Sequence, residues 1–151
     1  AASDVYKRQG HGRSEGVFTD GSILTWSEDA LSVLDNLTNK KQILIGSSMG
    51  GWIALILAKK RPKKIHSMIG IAAAPDFTED LMWDNFGEDE KNKIIRHGVI
   101  EQDSEYSDEP YKISKNLIFE SRNCFILRDK IELNFPVRLL QIGNNFFLPK
   151  L

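Results

Sequence analysis

The first half of the chain shows two patterns of apolar residues. One is the spacing typical of a helix, and the other is the continuous run typical of buried strands. Residues 30–37 carry apolar side chains three and four positions apart, which predicts an amphipathic helix. Thr25 and Glu28 form a predicted capping box at its start, because each can satisfy a free backbone N–H of the first turn. The apolar runs 42–45 and 65–74 are typical of parallel strands that are covered on both faces.

A glycine-rich turn separates the first of these strands from a second apolar helix. Gly46, Ser48 and Gly50 fit the pattern G-x-S-x-G, and residues 52–58 form the helix that follows. Glycine suits positions 46 and 50, because a side chain two residues from the serine would collide across so tight a turn. The pattern predicts a nucleophile elbow that lifts Ser48 above the end of a parallel sheet. A turn serine without chemistry is the alternative.

The character of the chain changes after Pro75, where charged and polar residues dominate. Helices are predicted there at residues 79–86, 88–97 and 112–122, before a third strand at 136–141. So long an excursion between two parallel strands is typical of a lid or cap over a site. The predicted fold class is therefore α/β, with three parallel strands, flanking helices and a helical cap inserted between the second and third strands.

These elements give a predicted division of the chain. We interpret residues 1–9 as a leader foreign to the protein, because they resemble translated sequencing-adapter read-through; a flexible natural terminus is the alternative. We interpret residues 143–151 as a tail that is also foreign, such as frameshifted sequence. The predicted core comprises 10–74 and 135–142, and the predicted cap comprises 75–134.

Composition adds few constraints. The chain has 151 residues, a formal charge of −1 and 41% apolar residues, which by themselves point to neither nucleic acid nor an anionic membrane as a partner. No apolar run approaches the roughly 18 residues of a membrane span. Cys124 is the single cysteine, so no intrachain disulfide can form and a reducing compartment is favoured. Asp76, Glu79 and Asp80 lie close in sequence, but without histidine or cysteine nearby we expect a solvated helix start rather than a metal site.

Three motifs in order carry a resemblance that runs from about Gly10 to Gln141. They are Gly10-His11-Gly12-Arg13-Ser14, the elbow with the Gly51 and Trp52 that follow it, and the stretch 70–83. Together they resemble serine hydrolases of the α/β-hydrolase fold. More narrowly, they are similar to bacterial relatives of the mitochondrial palmitoyl-protein thioesterases that also cleave acyl glucuronides.

The resemblance implies a serine esterase or thioesterase that works through an acyl-enzyme and needs no cofactor. Ser48 is the implied nucleophile, the backbone N–H of Met49 the implied oxyanion donor, and Gly46 and Gly50 the elbow glycines. A helix N-terminus beside the serine would favour the charge that develops on the substrate carbonyl oxygen. The implied substrates are small-molecule or acyl-protein esters and thioesters, and the implied compartment is the bacterial cytoplasm, or the mitochondrion in a eukaryote.

The catalytic acid and histidine that such enzymes need after the serine are missing from the expected places. The loop 142–149, where the acid is expected, has no carboxylate, although Asn145 lies near the position, and no histidine follows. We expect that the chain is cut at both ends; the alternative is a catalytically inactive hydrolase-fold fragment or a binding protein. Asp76, after the second strand, is a candidate alternative acid. Capping the helix that begins near Glu79 is the interpretation we favour for it.

Other candidate residues have structural explanations. We interpret His11 as part of a structural turn, whereas His66 begins a strand and His97 ends a helix, where a partly charged imidazole complements the helix dipole. Neither His66 nor His97 is well placed as a general base. Four apolar side chains can line an acyl-binding surface or pack the cap, and packing is favoured. They are Leu81, Met82, Trp83 and Phe86.

The resemblance also predicts that strand 42–45 lies at a sheet edge. In that fold a further strand lies beside the elbow strand, and the similarity begins only after it. An exposed apolar edge strand is an aggregation hazard.

Overall fold

A computed structural model describes residues 15–102 and 110–141 of the chain. Within them the chain forms two compact units, one of residues 15–26, 78–102 and 110–123, and the other of residues 27–77 and 124–141. The predicted leader 1–9, the turn at 10–14 and the tail 143–151 lie outside the described residues.

The helices and strands follow one another in an α/β order. The α-helices are α1 (Ile23–Leu37), α2 (Met49–Lys60), α3 (Glu88–His97) and α4 (Lys115–Phe119). The strands are β1 (Gln42–Ser47), β2 (Ile65–Ile71), β3 (Val99–Gln102), β4 (Tyr111–Ser114) and β5 (Val137–Leu140). Short turns of 3-10 helix lie at Phe18–Asp20, Pro62–Lys64, Trp83–Asn85 and Glu120–Cys124, and a π-helical turn lies at Thr78–Met82. No helix of this part of the chain has the length and apolar character that crossing a membrane requires.

The larger sheet lies in the second unit and has the strand order β1-β2-β5. Both pairings are parallel, with Gly46 opposite Gly70 and Gly70 opposite Leu139. Helix α2 is buried continuously from Gly51 to Ala58, which explains why its sequence is apolar on all sides. The parallel three-stranded sheet and its flanking helices confirm the predicted fold class.

One face of this sheet is bare in the described structure. Ile43, Ile45 and Leu140 expose 59%, 67% and 55% of their surface, and strand alternation with the observed register puts them on the same face. Within the described residues β1 pairs only with β2, so its other side is the edge that the sequence predicted.

Helix α1 begins two residues earlier than its predicted start. Ser22 and Thr25 cap each other, since the Ser22 N–H donates to Thr25 Oγ1 at 2.9 Å and the Thr25 N–H donates to Ser22 Oγ at 3.3 Å. The predicted box of Thr25 and Glu28 is therefore wrong. Ile23, the first helical residue, is fully buried and donates its N–H to Ser121 Oγ at 3.1 Å, and this tertiary contact fixes the earlier start.

The first unit contains a small hairpin that the sequence did not predict. Strands β3 and β4 pair antiparallel, with Ile100 opposite Ile113. The predicted helix 112–122 is therefore wrong in its first turn, because Lys112 lies in β4. Helix α4 starts only at Lys115, where the N–H of Leu117 donates to Ser114 Oγ at 3.0 Å.

Elsewhere the predicted elements differ mainly at their ends. The predicted helix 88–97 is confirmed as α3, which stops where Gly98 takes the left-handed conformation with φ 80°. The predicted helix 79–86 forms the π-helical turn and the 3-10 turn instead. Strand β2 ends at Ile71 rather than residue 74, because Ala72 has φ 44° and cannot continue an extended strand.

Candidate active site

Ser48 stands at the turn between β1 and α2. Its backbone has φ 48° and ψ −122°, a combination that is strained for any residue with a side chain. The side chain is exposed to solvent. The strand therefore ends in a sharp turn that presents the serine hydroxyl at the carboxyl edge of the parallel sheet.

Two positions of the turn require glycine because other segments of the chain pack too closely to leave room for a side chain. A Cβ atom on Gly46 would press against the carbonyl of Gly50, at a distance no real side chain adopts. A Cβ on Gly51 would collide with the Cβ of Ala73, which follows strand β2. Gly46 thus permits the turn itself, whereas Gly51 lets helix α2 lie directly against the end of the neighbouring strand.

Hydrogen bonds tie both backbone groups of Ser48 to the end of β2 and to the segment that follows it. The Ser48 N–H donates to Ile71 O at 3.0 Å, and Ser48 O accepts from the Ala74 N–H at 3.2 Å. The same segment is bonded to the third strand, since the Ala72 N–H donates to Leu140 O at 2.7 Å. The strained serine is therefore held by β2 and the segment that follows it, and that segment is in turn bonded to β5.

Met49 is the first residue of α2. The first N–H groups of a helix have no carbonyl partner within that helix, and they carry the positive end of its dipole. The Met49 N–H follows the Ser48 hydroxyl directly along the chain. A developing oxyanion at this position would meet both an unpaired donor and a favourable field.

Asp76 is fully buried and has φ 57°. Its carboxylate accepts hydrogen bonds from the N–H groups of Ile126, at 3.0 Å, and Leu127, at 2.9 Å. The Arg128 guanidinium lies 3.8 Å from the same carboxylate. The carboxylate thus holds the segment 126–128 that leads toward β5, a role that the sequence did not predict, and its capping of a helix near Glu79 stays a prediction.

The sequence profile of the alpha/beta hydrolase fold family matches residues 3–95. The chain belongs to this family. Human palmitoyl-protein thioesterase ABHD10, a mitochondrial protein, is 36% identical over 132 residues, which are 87% of this chain and 43% of the human protein.

Two solved structures of this family resemble the chain in sequence as well as in fold. One is a protein of Agrobacterium vitis S4 that is named as a hydrolase. It is 40% identical to this chain with a TM-score of 0.84, over 88% of this chain and 53% of that one. Mouse alpha/beta hydrolase domain-containing protein 10 is 32% identical with a TM-score of 0.79, over 94% of this chain and 57% of that one. The chain thus spans about half the length of the relatives it matches.

In this hydrolase-fold chain, His66 lies at the far end of β2 from Ser48. His66 is the second residue of β2, whereas Ser47 lies opposite Ile71 at the other end of that strand. His66 and Ile71 are five steps apart along the strand, which is roughly 16 Å at the usual rise per residue. His97 ends α3 in the first unit, and His11 lies outside the described residues.

The four apolar residues considered for an acyl surface all lie in the first unit, where some of them are packed and others are exposed. Phe86 is buried at 8% exposure, whereas Leu81 remains 39% exposed. The Trp83 ring contacts Phe119 edge-on with 5.0 Å between centroids. Arg122 lies over both rings and binds Glu79 through two hydrogen bonds, of 2.7 and 2.9 Å.

The second unit also packs its aromatic and thiol side chains. Trp52 is fully buried, and its indole N–H donates to Cys124 O at 3.1 Å. Burial raises the pKa of the Cys124 thiol, which disfavours the reactive thiolate. In the described parts of the chain, no group of three His, Cys, Asp or Glu side chains is arranged to hold a metal ion.

Two contacts of the site were missed by sequence reasoning. Ala73 lies against Gly51, and Arg128 lies near Asp76. The glycine pair Gly50-Gly51 is a sequence signal for the first contact. Of these two positions, the serine turn requires glycine only at position 50, so a second glycine at position 51 indicates that another segment packs closely there. We find no sequence signal for the second.

Proposed function

We propose that the chain is the nucleophile-bearing part of a serine hydrolase that cleaves carboxylic esters or thioesters through an acyl-enzyme on Ser48. The observation that carries the proposal is the strained, exposed serine, held at the N-terminus of α2 by hydrogen bonds to the end of β2 and the segment after it. Strain of this kind persists where the surrounding structure enforces it and function uses it.

In the proposed reaction, Ser48 Oγ attacks the acyl carbonyl while a base takes its proton. The carbonyl oxygen becomes an oxyanion that accepts a hydrogen bond from the Met49 N–H; a donor of this kind is typically worth about 3–4 kcal/mol. The leaving alcohol or thiol takes a proton, and water then releases the acid from the serine ester. Each step requires a base whose place in this fold follows the acid in chain order.

His66 lies at the other end of β2 from Ser48, and the places of His11 and His97 in the sequence favour structural roles. We therefore propose that turnover belongs to the whole protein and expect the 151-residue chain alone to be inactive. The segment 142–149, where the family places its acid, lies outside the described residues. The second candidate function, a binding protein on an inactive hydrolase fold, is favoured by the lack of a carboxylate in that segment.

The substrate class follows from the relatives. Because the human and bovine proteins are named as palmitoyl-protein thioesterases, we propose acyl thioesters and esters, including acyl-proteins, as substrates. The chemistry needs no metal or organic cofactor. For the compartment we propose the cytoplasm of a bacterium, or the mitochondrion that the relatives' names give for a eukaryote.

Labelling with a fluorophosphonate probe tests the nucleophile. We expect any labelling of the chain, or of the whole protein, to disappear in Ser48→Ala and to persist in Ser47→Ala. Ser47 is the matched control, since it is an adjacent, exposed serine without the strained backbone. Loss of labelling in Ser47→Ala alone would refute the assignment.

Asp76→Asn tests the alternative acid. The amide keeps one oxygen for the buried N–H groups but cannot stabilise an imidazolium. If labelling of the folded variant falls at least a hundredfold, Asp76 acts as the acid; if labelling is unchanged, its role is to hold the segment 126–128.

A further inference from the structure

Basic residues are concentrated in one segment of the chain. Residues 36–75 contain no aspartate or glutamate but seven lysines and arginines. Nearly neutral net charge therefore conceals a marked separation of charge along the sequence. The basic residues are Lys40, Lys41, Lys59, Lys60, Arg61, Lys63 and Lys64.

The fold brings all seven to the amino edge of the large sheet. Strand β1 begins at Gln42 and β2 begins at Ile65, and these two residues are paired in the parallel register. The basic residues immediately before each strand are consequently neighbours. Lys59 and Lys60 end helix α2, just before the turn that leads into β2.

The end of α1 lies at the same place. Arg61 binds Asp35 with 2.8 Å between charged atoms, and Lys64 Nζ lies 3.3 Å from the same carboxylate. Lys64 also donates to the carbonyls of Leu34 and Asp35, each at 3.1 Å. Asp35 is the one acidic residue between positions 30 and 75, so a single carboxylate opposes seven cations.

An exposed apolar side chain accompanies the charges. Leu37, the last residue of α1, exposes 62% of its surface. The basic residues are exposed too, apart from the half-buried Lys64. We call this surface, formed by Leu37 and the seven basic residues, the basic face.

We propose that the basic face binds the surface of an anionic lipid bilayer. Four to eight clustered basic residues are enough for attraction to anionic lipid, and an apolar side chain among them can enter the headgroup region. The basic face lies at the opposite edge of the sheet from Ser48, so this binding does not depend on the proposed catalysis.

The chemistry of the basic face favours lipid over other anionic partners. Six of its seven cations are lysines, which act as hydrated point charges and are depleted from protein interfaces. Its arginine is already paired with Asp35. The single aromatic residue of positions 36–64, Trp52, is fully buried, which leaves no ring there for stacking on nucleic-acid bases.

Vesicle co-sedimentation tests the proposal. We expect the chain to bind vesicles of equimolar phosphatidylglycerol and phosphatidylcholine at low salt, to leave vesicles of phosphatidylcholine alone unbound, and to be released by high salt. Replacing Lys40, Lys41, Lys59 and Lys63 together by glutamine should weaken binding at least a hundredfold, at about fivefold for each lysine near the surface. This variant leaves the contacts of Lys64 and Arg61 intact.

The matched control replaces four exposed lysines elsewhere by glutamine, which gives the same change in net charge. They are Lys93, Lys112, Lys115 and Lys130. We expect less than a fivefold effect from the control, tighter binding from Asp35→Asn, and a loss of a few-fold from Leu37→Ser.

Three results would overturn the proposal. They are no binding to the anionic vesicles at low salt, equal loss in the basic-face variant and the control, and preferential binding to double-stranded DNA or polyglutamate. The first would mean that the basic face is only a solvated surface, the second that net charge alone acts, and the third that its partner is a nucleic acid or an acidic protein.

Discussion

The two edges of the β1–β2–β5 sheet are specified by different kinds of interaction. At the carboxyl edge, Ser48, Ala72 and Asp76 adopt positive φ angles and glycines admit contacts between backbones. At the amino edge, long lysine side chains extend into solvent around a single carboxylate. Steric contacts are short-ranged and depend on single atoms, whereas charges act additively over about 10 Å at moderate salt. We therefore expect that a single added methyl group can disrupt the structure at the carboxyl edge. At the amino edge, we expect each change of charge to have a small and additive effect.

The most severe disruption should come from Gly46→Val. The new side chain would meet the Gly50 carbonyl, and neither backbone segment can move without dismantling the turn. We expect a loss of more than about 3 kcal/mol in the free energy of unfolding, at or above the usual cost of overpacking. Urea unfolding at low protein concentration measures it.

Gly87→Ala is the control for that substitution. A Cβ on Gly87 would have Glu90 Oε2 as its nearest neighbour, at an ordinary 3.8 Å, so its effect should be under about 1 kcal/mol. Equal losses in the two variants would show that the carboxyl edge is no more constrained than a surface helix start.

Asp76→Ala should have the next largest effect. It leaves the buried N–H of Ile126 and the partly buried N–H of Leu127 without their acceptor, and each unsatisfied buried group costs about 1–3 kcal/mol. We expect a loss of about 3 kcal/mol in unfolding free energy, against a negligible change for the exposed Asp129→Ala. A loss below 1 kcal/mol would mean that the buried carboxylate contributes little to holding the segment 126–128.

Ser48→Gly should stabilise the chain. Glycine adopts the observed φ without the steric cost that serine bears, so we expect about 1 kcal/mol greater stability than in Ser48→Ala. Both variants lack the hydroxyl, and the difference between their unfolding curves isolates the strain. Equal stabilities would mean that the turn stores no strain at this residue.

Asp35→Asn should have the smallest effect on stability, and that effect should depend on pH. The hydrogen bond from Arg61, followed by the contact with Lys64, lowers the pKa of the Asp35 carboxyl below its ordinary 3.8. Its stabilising effect is present above the unfolded value and is lost as the pH falls through the lowered folded value. Unfolding curves of the wild type and the variant should therefore differ slightly at pH 7 and converge in strong acid; a constant difference would show that the ion pair is not its origin.

The sequence predicted the elements around Ser48 because each is specified locally. The apolar strand, the glycine spacing and the apolar helix of the elbow can be recognised within about twenty residues, and the parallel sheet follows from them. The β3–β4 hairpin was missed because its strands have four residues each and are joined through a long segment. Residues 111–114 alternate as a strand does, but so short an alternation also fits the first turn of a helix.

Tertiary contacts explain the other differences. Ser22, rather than Thr25, starts α1 because the N–H of Ile23 is bonded to Ser121, about a hundred residues away. Asp76 turns inward because two N–H groups fifty residues later need an acceptor. Neither partner can be recognised from the residues adjacent to it. The segment 142–149, where we expect the acid, lies outside the described residues, and the nucleophile assignment stays a prediction.

The three tryptophans give the two units separate optical signals. Trp52 is buried in the second unit, where its indole binds the carbonyl of Cys124. Trp26 stacks on Phe18 and Trp83 lies beside Arg122, both in the first unit. A chain with Trp26 and Trp83 replaced by phenylalanine would fluoresce from Trp52 alone. Its emission would report when the packing around Trp52, in the unit that carries the serine turn, loosens.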